Sequence, residues 1–119
     1  MKPEKLLKVI ESNIGKFSVE AIYIVDGDFN VWAHKGEIKG EVIGYYRKFP
    51  LATLNIGSFV CDKKSFLLKT TERTGVIVVM KEEHHTIMAA ANLKSRINAL
   101  SEFYELDKAI EILEKERGS

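Results

Sequence analysis

Cysteine and proline are scarce in this chain, whose 119 residues include one cysteine, Cys61, and two prolines. A single thiol excludes an internal disulfide framework and fits a reducing compartment, so we expect a cytoplasmic protein. A chain of this length buries roughly 65% of its unfolded surface, which is enough for a core without covalent staples. Because no linker or repeat interrupts it, we expect one domain over residues 1–119.

An excess of either charge is also missing, as is a long apolar run. Eighteen basic residues face 17 acidic ones, which gives a net charge of +1, whereas nucleic-acid and membrane-surface binders carry a large positive excess. No run approaches the ~18 apolar residues that a membrane helix needs, and the charged residues 1–8 contain no apolar signal segment. The sequence therefore predicts no nucleic-acid partner, no membrane span and no secretory signal.

Catalytic signatures are absent as well. The sequence contains no GxSxG, GxxxxGK[ST], GxGxxG or HExxH motif. Cys61 follows a predicted strand, without the glycine elbow or helix N-terminus that would lower its thiol pKa. An enzyme built on Cys61 or the histidines would need those side chains to converge, so we expect no catalytic residue and no cofactor.

One loop partly imitates a calcium-binding loop. Asp26, Asp28 and Asn30 match its first, third and fifth positions, and Glu37 matches the twelfth. Val31 stands where that loop needs glycine, and the flanking residues are typical of strands. We therefore interpret this segment as a hairpin turn.

The histidines offer a second possible metal site. Only His84 and His85 are close in sequence, and adjacent side chains on a regular element point in different directions. No CxxC or HxxxH pair supplies the ligands of a structural zinc site. We expect both histidines to lie on a solvated loop and no metal to bind.

Apolar periodicity predicts helix, two strands, helix, three strands, helix. The helices are expected at residues 3–15, 37–48 and from residue 93 onward, with a kink or a second short helix near residues 106–107. The strands are expected at residues 19–25, 30–34, 54–60, 66–71 and 76–80. Tight turns between strands favour antiparallel pairing, and the most apolar strands need cover on both sides. The predicted fold class is α+β, with a five-stranded, mostly antiparallel sheet and helices on both faces.

The second predicted helix has an unusual glycine spacing. Its apolar stripe is Ile38, Val42, Tyr45 and Phe49, and the opposite side carries Gly36, Gly40, Ile43, Gly44 and Arg47. Each glycine inside a helix costs about 1 kcal/mol relative to alanine, but small residues let another backbone approach closely. We interpret this face as a contact with the same helix of a second copy.

The element order and three stretches carry a family resemblance. Residues 22–28 run from an apolar strand into an acidic-glycine turn, residues 75–80 form an apolar strand, and residues 92–100 begin a final helix. In these features the chain resembles the roadblock family of dynein light-chain and small-GTPase regulator domains. The second helix is shorter and richer in glycine than the family usually shows, and residues 107–119 form a C-terminal helical extension.

The resemblance implies a profilin-like arrangement, with the first and last helices on one sheet face and the second helix on the other. It also implies homodimers that pair their third strands and second helices. Gly40 and Gly44, with Ile43 and Arg47, would lie at the helix contact, and Leu54, Ile56, Ser58 and Val60 at the sheet edge.

The resulting hypothesis is a non-enzymatic homodimeric adaptor that binds a small Ras-like GTPase and modulates its nucleotide cycle or location. The alternative is a small-ligand sensor of the profilin-like or PAS-like kind. In that case Trp32, Tyr45, Tyr46 and Phe59 would line a pocket between sheet and helix, and an enclosed apolar cavity would distinguish the sensor from the adaptor.

Overall fold

The computed structural model describes residues 3–96 and 102–118. Its helices are α1 (Pro3–Ile14), α2 (Gly40–Tyr46), α3 (Thr86–Lys94) and α4 (Glu102–Gly118), and its strands are β1 (Val19–Asp26), β2 (Val31–Lys35), β3 (Phe59–Cys61), β4 (Ser65–Lys69) and β5 (Thr74–Met80). Short 3-10 turns occupy Gly15–Phe17, Leu51–Thr53 and Glu83–His85.

The five strands form one sheet in the order β2-β1-β5-β4-β3, and every neighbouring pair is antiparallel. Strands β1 and β5 lie at its centre. All seven residues of β5 are buried, as expected for a strand that is covered on both faces. The predicted α+β class and five-stranded antiparallel sheet are therefore confirmed.

Successive side chains along each strand point to opposite faces of the sheet and pack into two separate cores. On one face, Ile22, Phe66 and Val78 pack with α1, α3 and α4. On the other face, Tyr23, Leu67 and Ile77 pack with α2 and the turn after it. The prediction of helices on both faces is confirmed, and α2 is the helix that stands apart from the other three.

Two tyrosine hydroxyls fix α2 on the sheet. The Tyr23 hydroxyl in β1 donates to the Glu37 carbonyl at 2.6 Å and accepts from the Lys39 N–H at 2.9 Å. At the other end of α2, the Tyr46 hydroxyl lies 2.8 Å from Ser65 Oγ at the start of β4. The helix therefore runs from above β1 towards the β3 side of the sheet.

The prediction of which side of α2 packs on the core is wrong. Ile43 is buried and Tyr46 is fully buried, whereas Val42 and Tyr45 are half-buried. Ile38 lies before the helix and is 42% exposed. Because α2 begins at Gly40, about one turn later than predicted, Ile43 belongs to the core and not to the outward flank.

The predicted third strand, residues 54–60, is also corrected. Strand β3 comprises only Phe59–Cys61, so Leu54, Ile56 and Ser58 lie outside any strand, although the Ser58 carbonyl accepts one hydrogen bond from β4. A 3-10 turn at Leu51–Thr53 and a left-handed Gly57, with φ of 86°, delay the extended conformation. Val60 is the one predicted edge residue that is in β3.

The C-terminal helices differ from the prediction in two ways. Helix α3 begins at Thr86, before the expected residue 93, and α4 continues through Leu106 and Asp107 as one helix that begins at Glu102. The predicted stripe residues Ile97 and Leu100 lie outside the described residues. Within residues 3–96 and 102–118, no helix has both the length and the apolar run that crossing a bilayer requires.

We predict that Tyr46→Phe destabilises the protein by about 1–3 kcal/mol, because it leaves the buried Ser65 hydroxyl without its partner. Burial raises the pKa of Tyr46 from 10.0 to about 12. The unfolded chain therefore loses this proton first, and wild-type stability falls as the pH rises from 10 to 12. The difference in the free energy of unfolding between wild type and Tyr46→Phe should therefore become smaller from pH 10 to pH 12.

Urea unfolding at pH 8 and at several pH values above 10 measures both effects. Tyr104→Phe is the matched control, because Tyr104 is 45% exposed on α4. Equal stability of wild type and Tyr46→Phe at pH 8 would contradict the anchoring role of this hydroxyl.

Candidate functional site

The outward flank of α2 carries Gly40 and Gly44, Arg47 follows directly after the helix, and β3 forms a free edge of the sheet. We call Gly40, Gly44, Arg47 and Phe59–Cys61 together the α2–β3 surface. Half-buried Val60 packs on the same core as Ile43 and Tyr46. This shared core links the helix to the edge strand.

Two of the three residues on the flank of α2 are glycines. Gly40, Gly44 and Arg47 are exposed, and a Cβ atom built on either glycine would meet no atom within 4 Å outside its own helix. Neither glycine has a positive φ. Nothing in the described part of the chain therefore requires glycine at these two positions.

Strand β3 forms one edge of the sheet, so one side of its backbone is not paired within the sheet. Asp62 N–H bonds to Ser65 carbonyl at 2.9 Å, and Lys69 N–H bonds to Ser58 carbonyl at 3.0 Å. Because bonding alternates along an antiparallel pair, Phe59 and Cys61 direct their N–H and C=O groups away from β4. These four groups are what the edge offers to another strand.

The eight residues predicted for a dimer interface differ in how exposed they are to solvent. Ile43 is buried in the monomer core, and Leu54, Ser58 and Val60 are half-buried. The exposed ones are Gly40, Gly44, Arg47 and Ile56, the last of which is 44% exposed. Sequence reasoning did not identify Phe59 and Cys61, because their role comes from backbone direction and not from residue type.

Cys61 is a half-buried free thiol in β3. Burial raises the pKa of this thiol above its usual range, so the protonated form predominates at neutral pH. A protonated thiol is a poor nucleophile, which weighs against the cysteine chemistry considered from the sequence.

The four aromatic residues proposed for a ligand pocket do not share one. Trp32 and Phe59 pack against the core beneath α1, α3 and α4, whereas Tyr45 and Tyr46 pack against the core beneath α2. Surface cavities of about 230, 440 and 310 Å³ are lined by other residues. The geometry therefore gives no support to the sensor hypothesis through these residues.

The Asp26 segment forms a turn in the β1–β2 hairpin. The buried Asp26 carboxylate accepts from the backbone N–H groups of Asp28 and Asn30 and from the Trp32 indole, at 2.9, 3.0 and 2.9 Å. The Asn30 side chain is a fourth donor, at 3.2 Å. Donors within the chain occupy both carboxylate oxygens, so this residue fixes the turn.

The histidine interpretation is corrected by the structure. His84 and His85 do converge, with ring centroids 4.1 Å apart, and Glu82 joins them in a cluster whose ligand atoms all lie within 4.8 Å of one another. The prediction failed because it assumed a regular element, whereas a 3-10 turn at Glu83–His85 brings these side chains together. The adjacency of His84 and His85 in the sequence was the one feature that could have indicated this cluster.

Comparison with protein-family models and with curated proteins finds no match for this chain. The fold alone does not identify a function, because one fold hosts many. A functional conclusion therefore depends on the α2–β3 surface and on the chemistry of individual side chains.

Proposed function

We propose that this protein is a non-enzymatic homodimeric adaptor that binds a small Ras-like GTPase and modulates its nucleotide cycle or location. The observation that carries the proposal is the α2–β3 surface, where an open strand edge accompanies a helix flank with two exposed glycines. Each half of this surface is a feature that a second copy of the chain can cover.

The backbone of β3 selects one register for pairing with a second copy. If a two-fold axis passes beside Val60, then Phe59 of each copy lies opposite Cys61 of the other. Both residues direct their backbone groups outward, so this register forms two hydrogen-bonded residue pairs with four N–H···O=C bonds. The two Val60 residues then face each other as a non-hydrogen-bonded pair.

The glycines of α2 support close approach of the second helix. Gly44 lies inside the helix, where glycine costs about 1 kcal/mol relative to alanine. Gly40 is the first residue of α2 and its cost is smaller. Because no contact within the described residues explains either glycine, a neighbouring backbone is the simplest reason for them.

The GTPase part of the proposal comes from the family resemblance. The observed sheet order, with α2 alone on one face, agrees with the arrangement that the resemblance implies. In that family the paired second helices often form the docking surface for a Ras-like GTPase. We propose the same role for paired α2 helices here, which makes dimerisation a requirement for partner binding.

We predict that Val60→Cys, in a Cys61→Ser background, forms an intermolecular disulfide. The proposed register sets the two Val60 Cα atoms about 4.5 Å apart, which is within the range of about 4.4–6.8 Å that disulfides need. Oxidation at low micromolar concentration, followed by a non-reducing gel, should show a covalent dimer.

Ser58→Cys in the same background is the matched control. Residue 58 is two positions from the proposed axis, so its two copies lie about 14 Å apart along the strands and cannot bridge. Equal cross-linking of both variants, or cross-linking that persists in denaturant, would contradict the register.

We predict that Gly44→Leu converts the dimer into a folded monomer. A side chain at Gly44 has open space in the single chain, so its effect falls on the helix contact, and leucine also favours the helix by close to 1 kcal/mol. Light scattering at micromolar concentration measures the mass, and thermal unfolding reports the fold.

Ala91→Leu is the matched control for added bulk. Ala91 is exposed on α3, which lies on the opposite face of the sheet. This variant should keep the dimer mass. If the Gly44→Leu variant has the same dimer mass as wild type, the proposed contact between α2 helices is contradicted.

We further predict nucleotide-dependent binding to a small Ras-like GTPase. Candidate GTPases from the same genome are loaded with GDP or a non-hydrolysable GTP analogue and titrated with the wild-type protein. One nucleotide state should bind more tightly, and Gly44→Leu should weaken that binding. If the protein is dimeric but binds no candidate in either nucleotide state, the GTPase role is contradicted. The proposed self-association would be unaffected by that result.

A further inference from the structure

The cluster of Glu82, His84 and His85 lies outside the α2–β3 surface. One carboxylate oxygen and one nitrogen from each imidazole ring lie within 4.8 Å of one another. His84 Nε2 is 3.4 Å from Glu82 Oε2, and both side chains are more than half exposed. Two imidazoles and one carboxylate are a ligand set that suits zinc and neighbouring transition metals.

One ring nitrogen of the cluster has no hydrogen-bond partner among the described residues. His85 Nδ1 is buried and has no hydrogen-bond partner in the described part of the chain, which is unfavourable for a buried polar atom. The ring itself packs edge-on against Phe17, with centroids 6.2 Å apart. His85 therefore has a fixed ring with at least one nitrogen that no protein group engages.

The backbone beneath the cluster is anchored. Thr86 Oγ1 lies 2.9 Å from the carbonyl oxygens of both Lys63 and Glu83. These contacts tie the 3-10 turn at Glu83–His85 to the β3–β4 turn. The histidines are thus held at the end of the sheet, and the cluster does not depend on a free terminus.

We propose that Glu82, His84 and His85 form a binding site for a divalent transition metal, with Zn²⁺ as its reference ligand. Tetrahedral zinc with bonds of about 2.1 Å separates its ligand atoms by about 3.4 Å. Glu82 Oε2 and His84 Nε2 already lie at this spacing, 3.4 Å apart, and both side chains are exposed and can adjust towards His85. Three protein ligands leave one coordination position for water.

The surroundings of His84 give that open position access to solvent and to further ligands. His84 lines a surface cavity of about 310 Å³, together with Cys61, Asp62 and Lys63. Hard cations such as Mg²⁺ and Ca²⁺ prefer oxygen ligands, so the two imidazoles select against them. The site is independent of dimerisation, because all three ligands belong to one chain.

Isothermal titration of the metal-free full chain with Zn²⁺ tests the site, with Mg²⁺ as the comparison ion. We expect one Zn²⁺ per chain and no detectable Mg²⁺ binding. His84→Ala and Glu82→Gln should each weaken Zn²⁺ binding by at least about tenfold. Both residues are exposed, so thermal unfolding without metal should match wild type.

Two variants are matched controls. His34→Ala removes an exposed histidine outside the cluster, and Glu83→Gln removes a neighbouring exposed carboxylate. Both should bind Zn²⁺ like wild type. Histidine ring ¹⁵N spectra add a direct readout, in which His84 and His85 nitrogens shift on binding and His34 nitrogens do not.

Absence of Zn²⁺ binding would overturn the proposal, as would undiminished binding by His84→Ala. Cys61→Ser distinguishes a thiol-based site, because Cys61 lines the same cavity as His84. Loss of binding in Cys61→Ser, together with full binding in Glu82→Gln, would also overturn the assigned ligand set.

Discussion

The pairing of β1 with β5 at the centre of the sheet is the constraint on which the rest of the structure depends. Both strands bury side chains on both faces, so neither face can be left to solvent. Three helices cover one face. On the other face, the one helix among the described residues is α2, which has seven residues.

The core beneath α2 depends on residues outside regular elements. Phe29, in the turn after β1, and Leu51, in a 3-10 turn, are both buried there. Phe29 has a φ of 62°, a conformation that is unfavourable for a bulky residue. The Asp26 carboxylate stabilises this turn through the N–H groups on both sides of Phe29. Two loops and one short helix therefore fill the side of this core that faces away from the sheet.

The sequence allowed the sheet to be predicted more accurately than the site. Runs of β-branched residues located β1 and β5 to within two residues, because burial on both faces leaves a strong apolar signal. For α2 the same reasoning selected the wrong core-facing residues, because Ile38 continues the apolar spacing but precedes the helix. For β3 it failed in length, because alternation continues through Gly57 although the backbone there has a φ of 86°.

The two proposed sites escaped prediction for different reasons. The open backbone groups of Phe59 and Cys61 depend on which side of β3 pairs with β4, and residue types carry no trace of that choice. Glu82, His84 and His85 were visible as candidate ligands. Their convergence depends on a 3-10 turn of three residues, which is too short for periodicity to detect.

The two edges of the sheet also differ in how they resist pairing. Strand β2 has a register shift against β1 at Trp32, which has no partner between Ile24 and Val25, and it ends at His34 and Lys35, both exposed. Bulges and charged residues are devices that block edge-to-edge association. Residues 59–61 of β3 contain no charge and pair with β4 without a register shift. One edge is therefore protected against a second strand and the other is not, which favours β3 as the edge that a second copy covers.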